Sequence, residues 1–224
     1  PGINVPAIWK ASLKNGIKVY GINNMELPLV TVNLTIDGGV LQDNINLPGV
    51  ASMVAAVLPQ GTKNKTPEEL EEEIELLGSG INVFAGREEI TFNISTLSRN
   101  FVKTMDILKE IILEPRWDET EFTLAQNRTR NRIIQSEAQP ARVANLAFYK
   151  LVYGPDHIFG YNTDGTRESI EKITLNDLRS WYDRNMSPSA ARIHIAGNIG
   201  EDQVLEALKP FEEEWSPKEI TINS

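Results

Sequence analysis

The chain has 224 residues, no cysteine and a formal net charge of −9 from 22 basic and 31 acidic residues, and this length allows a substantial hydrophobic core. The acidic balance and the lack of a basic cluster argue against a nucleic-acid partner. The absence of thiols excludes disulfides, thiolate metal sites and a cysteine nucleophile, and no apolar stretch reaches the length of a membrane span.

The first third of the chain is predicted to hold three strands and one buried helix. Alternation and turn signals place the strands at residues 11–13, 17–20 and 31–37. The first two form a hairpin about Asn15-Gly16, a dipeptide typical of tight turns. A mostly apolar helix follows within residues 47–62, with Pro48 in its first turn and Gly61 marking its end.

The middle of the chain is predicted to contain a capped helix, a second hairpin and three further helices. Thr66 caps the first helix, where Pro67 and Glu69 complete a capping box. The hairpin strands turn near Gly86 and occupy residues 81–84 and 89–97. Periodic apolar residues predict helices at 101–113, 118–137 and 140–151. The inward-facing residues of the third are predicted to be Val143, Leu146, Ala147 and Leu151.

The last third is predicted to begin with a loop at residues 154–165. Two helices then start at Thr166 and Thr174, a strand covers residues 192–196, and a final helix covers 200–215. Strands at both ends of the chain and helices between them predict an α+β fold, a two-layer sandwich with a mostly antiparallel sheet and helices on one face. Residues 1–215 are predicted to form one domain, and residues 216–224 a linker towards a following domain.

The segment LPGVASMVAAVLPQGT at residues 47–62 resembles the signature helix of the pitrilysin/insulinase metallopeptidases, the inverzincins. In that family HxxEH supplies two zinc-binding histidines and a general base. In the same frame, the first histidine falls on Ser52, the general-base glutamate on Ala55 and the second histidine on Ala56. Positions i, i+3 and i+4 share one helix face, and these small side chains offer no effective zinc ligand. We therefore expect a packing face with no metal.

The resemblance extends through further motifs in the same order along most of the chain. They are LKNGIKV at 13–19, DGG at 37–39, LGSGINVFAGREEITF at 77–92, YGPDHIFG at 153–160 and GTRESIEKITLNDL at 165–178. The family's third zinc ligand, a glutamate on the long helix, falls near Asn131 or Arg132. The resemblance implies a fold like one domain of a mitochondrial-processing-peptidase-like metallohydrolase with a degenerate HxxEH site.

The resemblance also implies a function. Family members are built from two halves that close around a chamber, and one half is usually non-catalytic. The chain is expected to be the first domain of such a half, with zinc held by a catalytic partner domain or subunit of a parent zinc metallopeptidase. An edge strand of the family binds peptide by strand addition, and the equivalent residues are Asn82, Val83, Phe84, Ala85 and Gly86. The acidic surface would attract basic peptides.

Two alternatives remain open at this stage. The first is a structural or assembly module with no role in proteolysis. The second is an enzyme with its own site, for which the candidate groups are His157, Asp156, Asp164 and Glu168, although their spacing matches no metal or general-base motif. The absence of an initial methionine and of cysteine fits an exported, for example periplasmic, bacterial protein.

Overall fold

A six-stranded sheet organises the molecule, and the computed structural model describes residues 7–222 of it. The strands are β1 (Ile8–Ser12), β2 (Lys18–Asn23), β3 (Leu29–Asp37), β4 (Gly80–Ala85), β5 (Glu89–Leu97) and β6 (Ala191–Gly197). Their order across the sheet is β1-β2-β6-β3-β5-β4. All neighbours are antiparallel except β2 and β6, which run parallel. The predicted mostly antiparallel sheet is therefore confirmed.

Helices connect the strands and cover one face of the sheet. They are α1 (Val50–Val57), α2 (Pro67–Leu76), α3 (Phe101–Leu113), α4 (Glu119–Glu137), α5 (Pro140–Tyr153), α6 (Arg167–Lys172), α7 (Leu175–Asn185) and α8 (Glu201–Glu214). Short 3-10 turns lie at residues 39–42, 98–100, 158–160 and 188–190. In the part of the chain described, no helix has the combined length and hydropathy needed to cross a membrane.

Side-chain alternation along the central strands separates a covered face from an open one. In β3, Val32 and Leu34 are buried under the helices, whereas Asn33 between them lies on the other face. The same alternation places Ile193 of β6 in the core and His194 on the open face, where its ring stacks on Tyr20 with centroids 5.2 Å apart. The predicted two-layer sandwich with helices on one face is confirmed.

Local capping signals predicted several helix starts correctly. Thr66 and Glu69 form the predicted capping box at α2, and Thr166 and Thr174 cap α6 and α7 in the same way. A side-chain oxygen that accepts from the third backbone N–H satisfies a donor that has no partner within the helix. These helices therefore begin where short-range chemistry places them.

Two predictions were wrong in detail. Pro48 lies outside α1, because Gly49 caps the helix with a left-handed φ of 105° and the helix begins at Val50. The first hairpin has longer strands than predicted, since β1 is half exposed and is defined by pairing with β2 more than by burial.

The largest error concerns the face of α5 that was predicted to point inward. Val143 is 49% exposed and Leu151 is 87% exposed, Ala147 is also exposed, and Leu146 alone of the four predicted residues is half-buried. Helical periodicity identifies an apolar stripe but does not show what covers it.

The tail at residues 216–222 is not helical and lies against the body of the domain. Ser187 Oγ accepts from the backbone N–H of Lys218 at 2.9 Å, and Gln42 Nε2 donates to the carbonyl oxygen of Thr221 at 2.8 Å. A linker role for residues 216–224 stays a prediction, as does the domain boundary at 215. Residues 1–6 and 223–224 of these predicted segments lie outside the described residues.

Candidate functional site

The start of α1 is fixed by a buried carboxylate that precedes it by several residues. Asp43 accepts from the backbone N–H of Gly49 through Oδ2 and from that of Ala51 through Oδ1, both at 2.9 Å. Burial raises the pKa of Asp43 to about 7, while the N–H donors of Gly49 and Ala51 act in the opposite direction. Asp43 thus fixes the start of the helix that carries Ser52, Ala55 and Ala56.

The three motif positions lie on α1 as a small, largely covered face. Ala55 is buried, Ala56 is half-buried, and the half-buried Ser52 donates its hydroxyl proton to the carbonyl oxygen of Thr163 at 2.7 Å. Ser52 therefore ties α1 to the loop at residues 161–166. None of the three side chains is a strong zinc ligand or a general base.

The predicted third-ligand position carries a charge pair with the same loop. Arg132 of α4 donates from Nε to Oδ2 of Asp164 at 2.6 Å and from Nη2 to Oδ1 at 2.8 Å. This is the bidentate geometry in which guanidinium and carboxylate interact most strongly. The hydrogen bonds to Asp164 raise the pKa of Arg132 above its usual range. Of the two positions considered from the sequence, Arg132 makes this contact.

Close backbone packing holds the loop against the start of α1. A Cβ on Gly49 would lie 2.7 Å from the carbonyl oxygen of Asp164, and a Cβ on Gly165 would lie 2.3 Å from that of Pro48. The loop, α1 and α4 are therefore held together by Ser52, by Arg132 and by glycine contacts. Within residues 7–222, no group of three or more His, Cys, Asp or Glu side chains is placed to hold a metal ion.

Strand β4, which carries most of the predicted peptide-binding residues, is at the edge of the sheet. Gly86 N–H donates to the carbonyl oxygen of Glu89 at 2.7 Å, so these two residues stand at a hydrogen-bonded position of the ladder. Along an antiparallel ladder such positions alternate with positions whose backbone groups point away from the partner strand. The register with β5 therefore directs the N–H and C=O groups of Ile81, Val83 and Ala85 to the open edge.

The other predicted residues of this segment have different surroundings. Asn82 and Phe84 direct their backbone groups to β5 and their exposed side chains away from the core. Gly86 lies beyond the end of β4, and its carbonyl oxygen already accepts from Val40 N–H at 3.0 Å. The backbone of Gly86 is thus engaged within the domain.

A groove of about 650 Å³ runs beside β4 and reaches the α1 face that carries Ala55 and Ala56. Its walls include Ala55 and Ala56 of α1, Glu71 and Glu75 of α2, and Arg128 of α4. The open backbone groups of β4 and a charged rim therefore border the same space. This arrangement can hold an extended peptide through main-chain hydrogen bonds and pockets for alternate side chains.

The residues considered for an independent active site make local contacts or are exposed. His157 Nδ1 accepts from the backbone N–H of Phe159 at 3.1 Å, which makes it a local cap. Asp164 is bound to Arg132, and Glu168 forms an ion pair with Lys172 at 2.5 Å on the surface of α6. Asp156 is exposed in the loop before His157.

Sequence reasoning missed Asp43 and the role of the 161–166 loop. The only local signal for Asp43 is an acid a few residues before a Gly and an apolar helix, which is common in unrelated chains. The pairing of Arg132 with Asp164 joins residues distant in sequence, so no spacing rule identifies it.

A comparison with protein families matches residues 18–155 to a family described as Insulinase (Peptidase family M16). The probable mitochondrial-processing peptidase subunit beta of Arabidopsis thaliana is 25% identical over 209 residues, which cover 92% of this chain and 39% of that protein. The uncharacterized zinc protease YmxG of Bacillus subtilis is 23% identical over 204 residues, which cover 91% of this chain and 50% of that protein. The chain thus spans half or less of these two relatives.

Solved structures share the fold over nearly the whole chain. A peptidase M16 inactive domain from Pseudomonas fluorescens superposes with a TM-score of 0.87 at 22% identity, covering 96% of this chain and 53% of that one. The periplasmic protease PqqL from Escherichia coli gives a TM-score of 0.82 at 19% identity, covering 97% of this chain and 25% of that one.

Proposed function

The chain belongs to the insulinase family of peptidases, peptidase family M16, and from this premise we propose that it is a non-catalytic domain that forms part of a substrate chamber. It binds extended peptide there and supports hydrolysis by a zinc-bearing domain or subunit of the same family. A peptidase M16 inactive domain with the same fold supports this proposal.

The observation that carries the proposal is the α1 face formed by Ser52, Ala55 and Ala56. A catalytic zinc site needs about three protein ligands and an open position for water. This face supplies none, and the cationic Arg132, close to the third-ligand position, is engaged with Asp164. The zinc proteases among the relatives place zinc in this family, and we assign it here to the partner.

The peptide-binding part of the proposal rests on the β4 edge. A peptide added beside β4 would pair with the free backbone groups of Ile81, Val83 and Ala85, while the groove receives its alternate side chains. The rim acids Glu71 and Glu75 would attract a basic side chain or the peptide's terminal amine. Because backbone groups carry the contact, binding would tolerate many peptide sequences.

The larger assembly also belongs to the proposal. The greater length of the two relatives described above supports a further domain or subunit; in the proposal it bears zinc and supplies the rest of the chamber. An exported, periplasmic setting is proposed from the likeness to a protease named as periplasmic.

Zinc stoichiometry tests the non-catalytic assignment. The purified 224-residue chain is treated with chelator, reloaded with zinc and analysed for bound metal. We expect a value near zero, whereas tight one-to-one binding would reveal a metal site on this chain and would overturn the assignment.

A substitution at the open edge tests peptide binding. In the native protein with its zinc-bearing partner, Val83→Pro removes one outward-facing N–H and is tolerated on an edge strand, while Val83→Thr keeps the N–H and serves as the matched control. We expect Val83→Pro to lower kcat/KM for peptide hydrolysis and Val83→Thr to leave it near the wild-type value. Equal activity of both variants and the wild type would contradict a peptide-binding role and favour the purely structural alternative.

A further inference from the structure

A second cleft, of about 400 Å³, lies between α4, α5 and the 161–166 loop. It does not include the motif positions or β4. Its walls combine cations with aromatic rings and small polar groups, among them Arg87, Arg142, Tyr149, Lys150, Tyr161 and Asn162. These residues come from separate parts of the chain, so the fold alone brings them together.

Arg87 is held in place by contacts that leave part of its guanidinium unused. The guanidinium carbon lies 3.8 Å from the centroid of the Tyr149 ring and 5.3 Å from that of Phe159. Nη1 donates to the carbonyl oxygen of Phe159 at 3.1 Å. An arginine stacked on aromatic rings loses little further conformational freedom when its other N–H groups bind a ligand.

The cations of this cleft are not neutralised by acids. In the described part of the chain, Arg87, Arg142 and Lys150 form no ion pair. The nearby carboxylate of Glu137, which also lines the cleft, is paired with Arg167. A chain with a net charge of −9 thus has a local excess of positive charge on one concave surface.

We propose that this cleft binds a carboxylate group of a peptide, from an acidic side chain or from the C terminus. The guanidinium of Arg87 has the planar donor geometry that matches a carboxylate. Arg142 and Lys150 add charge at the rim, and Tyr149 and Tyr161 offer apolar surface to the adjoining residue. The proposal rests on the peptide-binding function above and adds a second anchoring point away from β4.

The test measures peptide binding to the native protein, with chelator present to prevent hydrolysis. The probe is the N-acetylated pentapeptide Ala-Glu-Tyr-Glu-Ala with a free C terminus, compared with its C-terminal amide and with its glutamine analogue. Calorimetry gives the affinity for the wild type, for the double variant Arg142→Gln/Lys150→Gln, and for Lys103→Gln. Lys103 is the matched control because it is an exposed lysine on α3, outside the cleft.

We expect the double variant to bind the acidic peptide about tenfold or more weakly, because it removes two of the three cations of the cleft that attract the carboxylate, while Lys103→Gln binds like the wild type. Loss of affinity on amidation assigns the C-terminal carboxylate, and loss in the glutamine analogue assigns the side chains. Equal affinity for all three peptides, or a double variant that binds like the wild type, would overturn the proposal.

These results are separable from the test of β4. The double variant leaves the edge strand intact, and Val83→Pro leaves the cations in place. A failure of carboxylate binding with retained sensitivity to Val83→Pro would therefore reject the cleft and keep the proposed function.

Discussion

Replacing Asp43 by asparagine tests how the buried cap of α1 responds to pH. Asp43 is 6% exposed, and both of its carboxylate oxygens accept backbone N–H groups at 2.9 Å. Burial disfavours the charged form, whereas the donors of Gly49 and Ala51 favour it. Burial has the larger effect, and the pKa of Asp43 is raised to about 7.

The direction of the pH effect follows from linkage. An unfolded chain releases the Asp43 proton near pH 3.9, about the value for an unperturbed aspartate, while the folded protein keeps it until about pH 7. The stabilisation from Asp43 is therefore fully present below about pH 4 and is lost as the pH rises through 7. A shift of about three pKa units corresponds to about 4 kcal/mol across this window, as an order of magnitude.

The assay is urea denaturation of the wild type and of Asp43→Asn from pH 4 to pH 8. Because the amide does not titrate, the free energy of unfolding of the wild type should fall relative to that of the variant as the pH rises. The Cγ chemical shift of Asp43 gives the pKa directly. A titration midpoint below pH 4, with no relative change in stability between pH 4 and 7, would refute the reasoning and show that the helix donors outweigh burial.

Three further predictions concern the region between α1, α4 and the loop. Gly49→Ala should destabilise the protein by about 1 to 3 kcal/mol in urea denaturation, because of its positive φ and the nearby Asp164 oxygen; an unchanged midpoint would contradict this. A double-mutant cycle with Arg132→Ala and Asp164→Ala should give a coupling of about 1 kcal/mol, since the pair is bidentate but half exposed, and zero coupling would show that the pair is only incidental. A triple variant with Ser52→His, Ala56→His and Arg132→Glu should bind zinc, and added zinc should then raise its Tm. The matched variant without Ala56→His should show no such rise. No zinc response from the triple variant would show that the motif frame is misplaced.

Short-range chemistry made much of the fold predictable. The capping boxes at Thr66 and Thr174 depend on residues three positions apart, so the sequence displays them directly. The β4–β5 hairpin was predicted for the same reason, since Gly86 and the alternating residues on either side specify a tight turn between strands. Elements whose determinants are adjacent in sequence were therefore found.

Elements that depend on distant partners were not predicted well. The apolar stripe of α5 is real, but the exposure of Val143 and Leu151 shows that the described chain leaves much of it uncovered. The cap from Asp43 and the contact between Arg132 and Asp164 depend on three-dimensional proximity alone. The residues of a single strand do not determine which strands lie beside it in the sheet. The edge position of β4 was therefore expected from the family resemblance alone.

The position of β6 between β2 and β3 has a consequence for how the chain reaches its folded state. Lys18 of β2 pairs with Arg192 of β6, and Leu34 of β3 pairs with Ile193. Until β6 has been synthesised, no strand pairing joins the β1–β2 hairpin to the three-stranded unit of β3, β5 and β4, because β6 lies between β2 and β3. Long-range pairing of this kind slows folding. A nascent chain that ends before residue 191 would expose two unfilled strand edges to chaperones and to other nascent chains.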